Sequence, residues 1–266
     1  MAATPAPPTT APGTLYLVPA PLDHGCDTLT PLDDVLPRGT LRTAAQLTYW
    51  ICENAKSARA LLKRIDAVEP LAATLQAQQI AELPRAVHKK GDHTGATGFD
   101  ARPLLAAALA GHDMGLVSEA GMPAVADPGS SVVRAAHALG VPVVPLVGPV
   151  SLLLALAASG LNGQNFAFVG YLPQEATERA DRIRALEALA LRTGQTQLFI
   201  EAPYRNEAVL ETALQSLEPG TWFGVAADLT LPSQFILTRR IADWRKLPKP
   251  ELHKRPVVFM VYAGKG

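Results

Sequence analysis

The sequence has few of the features that mark secreted, metal-binding or strongly nucleic-acid-binding proteins. Its 266 residues include two cysteines, Cys26 and Cys52, which are too few for a disulfide framework or a cysteine metal cluster. Positive and negative side chains number 24 each, so no overall field attracts a polyanion, and any contact with nucleic acid must come from a local patch. The small number of cysteines favours a reducing compartment, so we expect a cytoplasmic protein.

A long unbroken apolar run is also missing. The segment VPVVPLVGPVSLLLALAASG approaches membrane-spanning length, but prolines and a glycine interrupt its first half, which predicts strand, turn and helix in succession. The first twelve residues, MAATPAPPTTAP, lack the positive charge and the apolar core of a secretory signal. We expect no membrane contact, and we interpret 1–12 as a disordered leader.

The remaining chain alternates strand and helix patterns, which predicts an α/β protein. In the first half we predict strands at 14–18, 43–51, 115–118 and 141–147 and helices at 54–65, 100–113 and 151–159. In the second half, helices at 175–192 and 204–217 accompany the strand-like segments FAFVG, TQLFIEA, WFGVAADL, SQFILTRRI and PVVFMVYA. The pattern predicts two α/β domains, a mostly parallel one over 13–147 and one with a mixed sheet over 148–266.

The stretch SEAGMPAVADPG, residues 118–129, joins a predicted strand of the parallel half to a predicted helix. Open α/β sheets bind ligands at such connections, outside the carboxyl ends of their strands. Its glycines permit a close backbone approach to a ligand, and its prolines stiffen the loop. Asp127 lies three residues before Ser130, where the next helix is predicted to start, so a rigid loop with a helix cap is the alternative interpretation.

Six segments in order resemble the tetrapyrrole methylase superfamily, and above all the branch that methylates a cytidine 2′-hydroxyl in small-subunit ribosomal RNA. They are GTLYLVPAPL, SEAGMPAVADPG, VPVVPLVGPVSLLLALAASGL, FAFVGYLP, IEAPYR and AADLT. The resemblance runs from about residue 13 to about 240. It implies a two-domain homodimeric enzyme that binds S-adenosylmethionine between its domains and acts on RNA or the small ribosomal subunit. Because the sulfonium is already an activated methyl donor, we expect no metal. The G-x-G-x-x-G dinucleotide fingerprint is absent from the sequence, as it is from that family.

The resemblance also implies cofactor-binding residues. Those that match the family loop around the methionine end of the cofactor are Ser118, Ala120, Gly121, Pro123, Asp127 and Gly129. Those that match later segments beside the cofactor are Gly148, Tyr171, Leu172 and Pro203, and Ser151, one place after the family's serine position, is included with them. The family's Pro-Gly-Pro-Ser turn is altered, because Val147 and Val150 replace its first proline and its serine.

Two departures lie on the substrate side. The family's Ala-Glu-Asp-Thr-Arg signature becomes Cys-Glu-Asn-Ala-Lys over 52–56, so that lysine, a point charge, replaces the forked guanidinium. An Arg-Glu-Leu-Thr-Lys run followed by acidic residues becomes Ala-Asp-Leu-Thr-Leu-Pro-Ser-Gln over 227–234. We interpret the chain as a side branch of the ribosomal enzymes.

Methyl transfer to a ribose hydroxyl gains from a nearby base. The candidates are Glu53, Asp23, His88 and His93. Glu53 matches a family position, and if it opened the helix with Lys56 one turn later, the two would share a face. Lys56 would hold an anionic substrate group, Glu53 would orient or deprotonate the hydroxyl, and His93, in a polar loop, is the secondary candidate. The structural alternative for Glu53 is a first-turn acid interacting with the helix dipole.

Two other functions stay open at this point. One is methylation of a tetrapyrrole or another small molecule. The other is a cofactor-binding protein that has lost catalysis and works through interaction.

Overall fold

The computed structural model describes residues 11–84, Val87, Asp92 and 99–264. The predicted leader, 1–12, lies almost wholly outside these residues. The chain forms two compact units. The N-terminal unit comprises the chain up to His24 together with residues 30–149, and the C-terminal unit comprises residues 25–29 and the chain from Val150 onward.

The sheet of the N-terminal unit is parallel, as predicted. Its described strands are β1 (Leu15–Val18), β2 (Tyr49–Cys52), β3 (Gln79–Glu82), β4 (Met114–Val117) and β5 (Val143–Pro145). They lie in the order β3-β2-β4-β1-β5, and all four neighbouring pairs are parallel. The loops that follow β2 and β4 therefore leave the sheet side by side at the edge formed by the carboxyl ends.

The described helices of this unit cover both faces of the sheet with small and branched apolar side chains. They are α1 (Leu32–Val35), α2 (Arg38–Gln46), α3 (Ala55–Asp66), α4 (Ala106–Leu109), preceded by a 3₁₀ turn at Arg102–Leu105, and α5 (Ser130–Ala138).

The predicted strand at 43–51 is wrong in its first half. Helix α2 runs through Gln46, and β2 begins only at Tyr49. The buried residues of α2 are Thr40, Leu41, Ala44 and Ala45, which recur at helical spacing. Alanine has the highest helix propensity, so the two alanines that weaken the strand pattern belong to the preceding helix.

The apolar run 141–160 divides between strand and helix, as its prolines predict. Strand β5 is shorter than the predicted 141–147 and lies at the sheet edge, where Pro145 removes no ladder hydrogen bond from a further strand. Helix α6 covers Ser151–Ser159. None of the described helices is long and apolar enough to cross a membrane.

The C-terminal unit has the predicted mixed sheet. Its described strands are β6 (Phe166–Tyr171), β7 (Thr196–Ile200), β8 (Trp222–Ala227), β9 (Phe235–Arg240) and β10 (Val257–Tyr262). They lie in the order β6-β7-β10-β8-β9, with β6 and β7 parallel and the other pairs antiparallel. Its longer described helices are α7 (Ala176–Thr193) and α8 (Asn206–Ser216), and a short α9 covers Ile241–Trp244.

Aromatic rings fill the core of the C-terminal unit. Phe199 and Phe259 stack at 5.6 Å between ring centroids, and Phe223 lies 6.0 Å from Phe259 and 6.1 Å from Trp244. The Trp244 indole donates to the Phe223 carbonyl at 2.8 Å, so its polar atom is satisfied within the core.

Candidate cofactor site

The loop 118–129, between β4 and α5, has a left-handed backbone at four positions. Gly121 and Gly129 have φ angles of 69° and 136°, and Ala124 and Ala126 have φ angles of 65° and 64°. A left-handed conformation costs a residue with a side chain roughly 1–2 kcal/mol. The two alanines adopt it because the surrounding contacts hold the loop in a single shape.

Gly121 joins this loop to the segment that follows β1. Its amide donates to the Ala20 carbonyl at 3.0 Å, and the Ala20 amide donates to the Gly121 carbonyl at 2.9 Å. A Cβ atom at Gly121 would lie 3.3 Å from the Leu22 side chain and 3.6 Å from the Pro149 carbonyl oxygen. The positive φ therefore favours glycine at this position, and the residue is closely surrounded by protein.

Asp92, which sequence reasoning missed, caps α5. Its carboxylate accepts hydrogen bonds from the Gly129 amide at 2.9 Å, the Ser131 amide at 2.7 Å and the Ser130 and Ser131 hydroxyls at 2.7 Å. Burial acts to raise the pKa of Asp92, but the hydrogen bonds, those of Ser131 foremost, hold it below its ordinary value. The cap is therefore Asp92, and the interpretation of Asp127 as the cap is wrong.

Asp127 is half-buried near two other acids of the N-terminal unit. Burial, followed by repulsion from Glu53 and Glu119, raises the pKa of Asp127 to about 7. Glu53 follows β2 directly and Glu119 lies two residues after β4, so both belong to the carboxyl-end edge of the sheet. We call Glu53, Glu119 and Asp127 the carboxylate cluster. A bound cation would be attracted by these carboxylates and would favour the charged form of Asp127.

The predicted helical pairing of Glu53 with Lys56 is wrong. Helix α3 begins at Ala55, and its N-cap is Asn54, whose side chain accepts from the Lys56 amide at 2.9 Å. Glu53 therefore precedes the helix, and it is neither a first-turn acid nor one helical turn from Lys56. The Lys56 side chain is exposed in the first turn of α3.

Glu119 connects the loop to two further polar side chains that the sequence patterns did not indicate. Its Oε1 accepts from the Ser57 hydroxyl at 3.0 Å, and its Oε2 lies 3.5 Å from His24 Nε2. The side chains of His24 and Glu119 are 47% and 33% exposed, so both can be reached by a ligand. These residues are separated by at least 33 positions in the sequence, and no local spacing could have shown the contact.

The neighbouring Asp23 is structural. Arg64 donates to its two carboxylate oxygens at 3.0 and 2.8 Å, and the Thr30 amide donates to it at 2.8 Å. Arg64 also donates to the Thr30 carbonyl at 2.6 Å. Since Asp23 is buried and its oxygens are engaged in this network, the contacts favour a structural role over that of a candidate base.

The other predicted residues of the N-terminal unit have mostly packing environments. Ser118 is buried directly after β4, Pro123 is buried within the loop, and Ala120 is half-buried. A Cβ atom at Gly148 would lie 2.3 Å from Cγ of Pro19. Only glycine fits this contact, so the position is explained by packing whether or not it also touches a cofactor.

Two of the predicted residues of the C-terminal unit share a pocket of about 180 Å³. The pocket has a mainly apolar lining formed by Ser151, Ile200, Glu201, Pro203, Ala226, Leu229, Pro256, Val257 and Val258. Ser151 is the first residue of α6, and Pro203 opens the 3₁₀ turn after β7. The other two predicted residues do not line it. Tyr171 ends β6 with 59% of its surface exposed, whereas Leu172 is buried in the core.

Glu201 shapes the turn that contains Pro203. Its buried carboxylate accepts from the Ala202 amide at 2.7 Å and forms an ion pair with Arg205. The contacts of Glu201 therefore stabilise this turn. The IEAPYR pattern in the sequence did not predict them.

The altered segment 227–234 is held by an ion pair. Asp228, with φ of 51°, accepts from Arg255 at 2.9 Å and from the Ser233 hydroxyl at 2.8 Å. Leu229 next to it forms part of the pocket wall. Segment 227–234 therefore contributes to the structure of the C-terminal unit, although it lacks the charged residues of the family pattern.

His93 and His88 lie outside the described residues. Among the residues that the structure describes, no cluster of three or more histidine, cysteine or acidic side chains could hold a metal ion.

Comparison with known proteins assigns the family. The pattern of the family described as Tetrapyrrole (Corrin/Porphyrin) Methylases matches residues 55–244. The chain belongs to the tetrapyrrole methylase family. It is accordingly a methyltransferase that depends on S-adenosylmethionine, the methyl donor of that family.

The relatives of this methylase include three bacterial proteins named Ribosomal RNA small subunit methyltransferase I. The one from Pseudomonas aeruginosa is 30% identical over 241 residues, covering 91% of this chain and 72% of the relative. The one from Xylella fastidiosa is 33% identical and covers 73% and 60% of the two chains. The one from Mesorhizobium japonicum is 32% identical and covers 86% and 69%. The chain thus spans roughly two thirds of the length of these relatives.

Solved structures of this family share the fold of the methylase. The methyltransferase CobJ superimposes with a TM-score of 0.56 at 20% identity, over 94% of each chain. The uroporphyrin-III-C-methyltransferase from Thermus thermophilus superimposes with a TM-score of 0.52 at 18% identity, again over 94% of each chain. At these identities the comparison supports the fold alone.

Proposed function

We propose that this methylase transfers a methyl group from S-adenosylmethionine to a ribose 2′-hydroxyl of small-subunit ribosomal RNA. The carboxylate cluster is the observation that carries the proposal: Asp127 and Glu119 belong to the loop that resembles the family's cofactor loop, and Glu53 is close enough to Asp127 to raise its pKa by repulsion. S-adenosylmethionine supplies an activated methyl group on a positively charged sulfonium, beside a charged amino group. A negative cluster at the end of a parallel sheet fits such a ligand.

The cofactor residues are assigned by unit. In the N-terminal unit we assign the methionine end to the loop, with Ser118, Ala120, Gly121, Pro123, Asp127, Gly129 and Gly148. Two of these have their polar groups engaged already: the Gly129 amide donates to Asp92, and the Gly121 amide donates to Ala20. Their carbonyl oxygens accept from the Ala20 and Val133 amides, so these two glycines would contribute backbone shape. In the C-terminal unit we assign the adenosine to Ser151, Tyr171, Leu172 and Pro203, of which Ser151 and Pro203 line the pocket.

The RNA acceptor is supported by the names of the relatives and by Lys56. An ammonium group exposed at the start of α3, three residues after Glu53, can hold a phosphate of the substrate while Glu53 orients the ribose hydroxyl. The cytidine 2′-hydroxyl follows from the branch that the sequence resembles. His93 is the secondary candidate on the substrate side.

We further propose a cytoplasmic homodimer. The resemblance supports the dimer, and the scarcity of cysteine supports the compartment. Light scattering at micromolar concentration is expected to give twice the monomer mass of 28.2 kDa, and the monomer mass would contradict the dimer.

The proposed function is tested with a panel of methyl acceptors. The protein is incubated with methyl-labelled S-adenosylmethionine and, in separate reactions, with small ribosomal subunits that lack ribose methylation, with free ribosomal RNA and with uroporphyrinogen III. Label in the subunits or the RNA is expected. Label in the tetrapyrrole alone would assign a small-molecule methylase, and cofactor binding without transfer to any acceptor would indicate that catalysis has been lost.

A further inference from the structure

We propose that His24 is the general base that takes the proton from the acceptor hydroxyl, and that Glu119 positions it. The inference rests on the proposed function and adds a catalytic residue to it. It stands on the contact between these two side chains, since Glu119 is part of the loop assigned to the methyl donor.

The geometry of the contact brings the imidazole to the cofactor loop. His24 Nε2 lies 3.5 Å from Glu119 Oε2, and the other oxygen of Glu119 accepts from the Ser57 hydroxyl at 3.0 Å. Ser57 belongs to the first turn of α3, so Glu119 is held between the helix and the histidine. A carboxylate at ion-pair distance from an imidazole stabilises the imidazolium that forms when the ring takes a proton.

The backbone beside His24 is anchored. The carboxylate of the preceding residue, Asp23, is held by both arms of Arg64 and by the Thr30 amide, at distances of 2.8 to 3.0 Å. Asp23 is 3% exposed, whereas the side chain of His24 is 47% exposed. The histidine is thus an accessible group attached to a fixed support, the arrangement that positioned catalytic groups require.

The chemistry balances in atoms and in charge. The acceptor oxygen forms a bond to the methyl carbon while the carbon–sulfur bond breaks and its electron pair stays on sulfur. The hydroxyl proton passes to the His24 imidazole, which becomes imidazolium. The positive charge is on the sulfonium before the transfer and on His24 after it. Glu119 belongs to the carboxylate cluster and lies beside His24, so its negative charge would stabilise the cation at both stages.

An imidazole also suits the task better than a further carboxylate. It exchanges protons in the neutral range, as an efficient base at physiological pH does. Glu53 raises the pKa of Asp127 through the repulsion of like charges. If Glu53 took the hydroxyl proton, it would lose the charge with which the carboxylate cluster holds a cation.

The first test compares His24→Asn with His137→Asn. Asparagine retains a polar group near Glu119 but takes no proton. His137 is an exposed histidine in the last turn of α5, about 10 Å along the helix from its start at Ser130, and it serves as the matched control. On small ribosomal subunits, kcat of His24→Asn is expected to fall by about 10²–10⁴-fold, with affinity for S-adenosylmethionine within a few-fold of wild type. Wild-type kcat in His24→Asn would overturn the proposal.

The second test requires no methyl acceptor. Diethyl pyrocarbonate modifies accessible histidines, and mass spectrometry gives the rate at each one with and without saturating S-adenosylhomocysteine. His24 is expected to be protected several-fold by the ligand, while His137 and His253, both exposed, react at unchanged rates. An unprotected His24 on a protein that binds the ligand would overturn its placement. If the wild-type protein binds the ligand but methylates no RNA, the RNA assignment fails, and the protection of His24 still decides whether it lies at the donor.

Discussion

Ala20 and Gly121 exchange both of their backbone hydrogen bonds, with N–O distances of 2.9 and 3.0 Å. This pair joins the segment after β1 to the loop after β4, which lie on neighbouring parallel strands. The shape of the loop assigned to the cofactor therefore depends on the PAPL segment 19–22 as well as on its own glycines and prolines.

A Gly121→Val substitution is expected to weaken S-adenosylmethionine binding by more than tenfold. Valine at φ of 69° is strained, and its Cβ atom would lie 3.3 Å from the Leu22 side chain, so the loop or Leu22 must shift by a few tenths of an ångström. Isothermal titration measures the affinity.

Gly140→Val is the matched control for this substitution. Gly140 has a φ of 70° and open space around its Cβ position, so it carries a similar backbone strain at the end of α5, away from the loop. Both variants should lose melting temperature, but only Gly121→Val should lose affinity. Equal affinities in two folded variants would place the cofactor elsewhere.

The affinity for S-adenosylmethionine is expected to rise with pH through the neutral range. Asp127 has a pKa of about 7, so its carboxyl group gains its charge as the pH passes that value, and the charged form favours a cation. Below the pKa, affinity should fall by up to about tenfold per pH unit, because binding must displace one proton. Asp127→Asn should remove this dependence, and S-adenosylhomocysteine, which lacks the sulfonium charge, should show a weaker one.

The same group has the opposite effect on stability. Because the pKa of Asp127 is raised in the folded state, ionising it costs free energy, and its contribution becomes less favourable as the pH rises from its ordinary value to about 7. Asp127→Asn should therefore raise the melting temperature at pH 8 and change it little at pH 4. Equal shifts at both pH values would contradict a raised pKa.

Glu53→Gln is expected to act on the cofactor more than on the chemical step. Removing a like charge lowers the pKa of Asp127, so the pH at which the affinity rises should move downward. At saturating cofactor, kcat should fall less than tenfold if His24 takes the proton. A loss of about 10²–10⁴-fold in kcat with unchanged cofactor affinity would make Glu53 the base.

Lys56→Gln is expected to weaken RNA binding, with Lys63→Gln as its control. Both lysines are exposed on α3, one in the first turn and the other in the last. A lysine that holds a phosphate contributes about one ion to the salt dependence, so the slope of log K against log salt should decrease by roughly 1 in Lys56→Gln alone. Identical slopes in both variants would remove Lys56 from the RNA contact.

Local patterns in the sequence predict most of the fold because each element carries its own periodicity. Helix α6 covers the predicted 151–159, and the change from a parallel to a mixed sheet follows from the loss of intervening helices in the second half. The prediction of a strand at 43–51 was wrong in its first half, because the alanines there lie on the buried face of helix α2.

The candidate site is less predictable because its decisive contacts are long-range. Asp92 caps a helix that begins 38 residues later, and His24 meets Glu119 across 95 positions. Glu53 showed the limit of helical spacing, since the N-cap Asn54, with its extended backbone, separates it from α3. Such pairs arise from the parallel order of the strands, which the sequence patterns did not specify.

The central claim is methyl transfer to a ribose hydroxyl, and nucleoside analysis of the product tests it most directly. Small ribosomal subunits lacking ribose methylation are incubated with the protein and deuteromethyl S-adenosylmethionine, and their RNA is digested to nucleosides for mass spectrometry. We predict that the label appears in 2′-O-methylcytidine and is lost in His24→Asn. Label confined to a methylated base, or RNA without label beside a protein that binds the cofactor, would contradict the account.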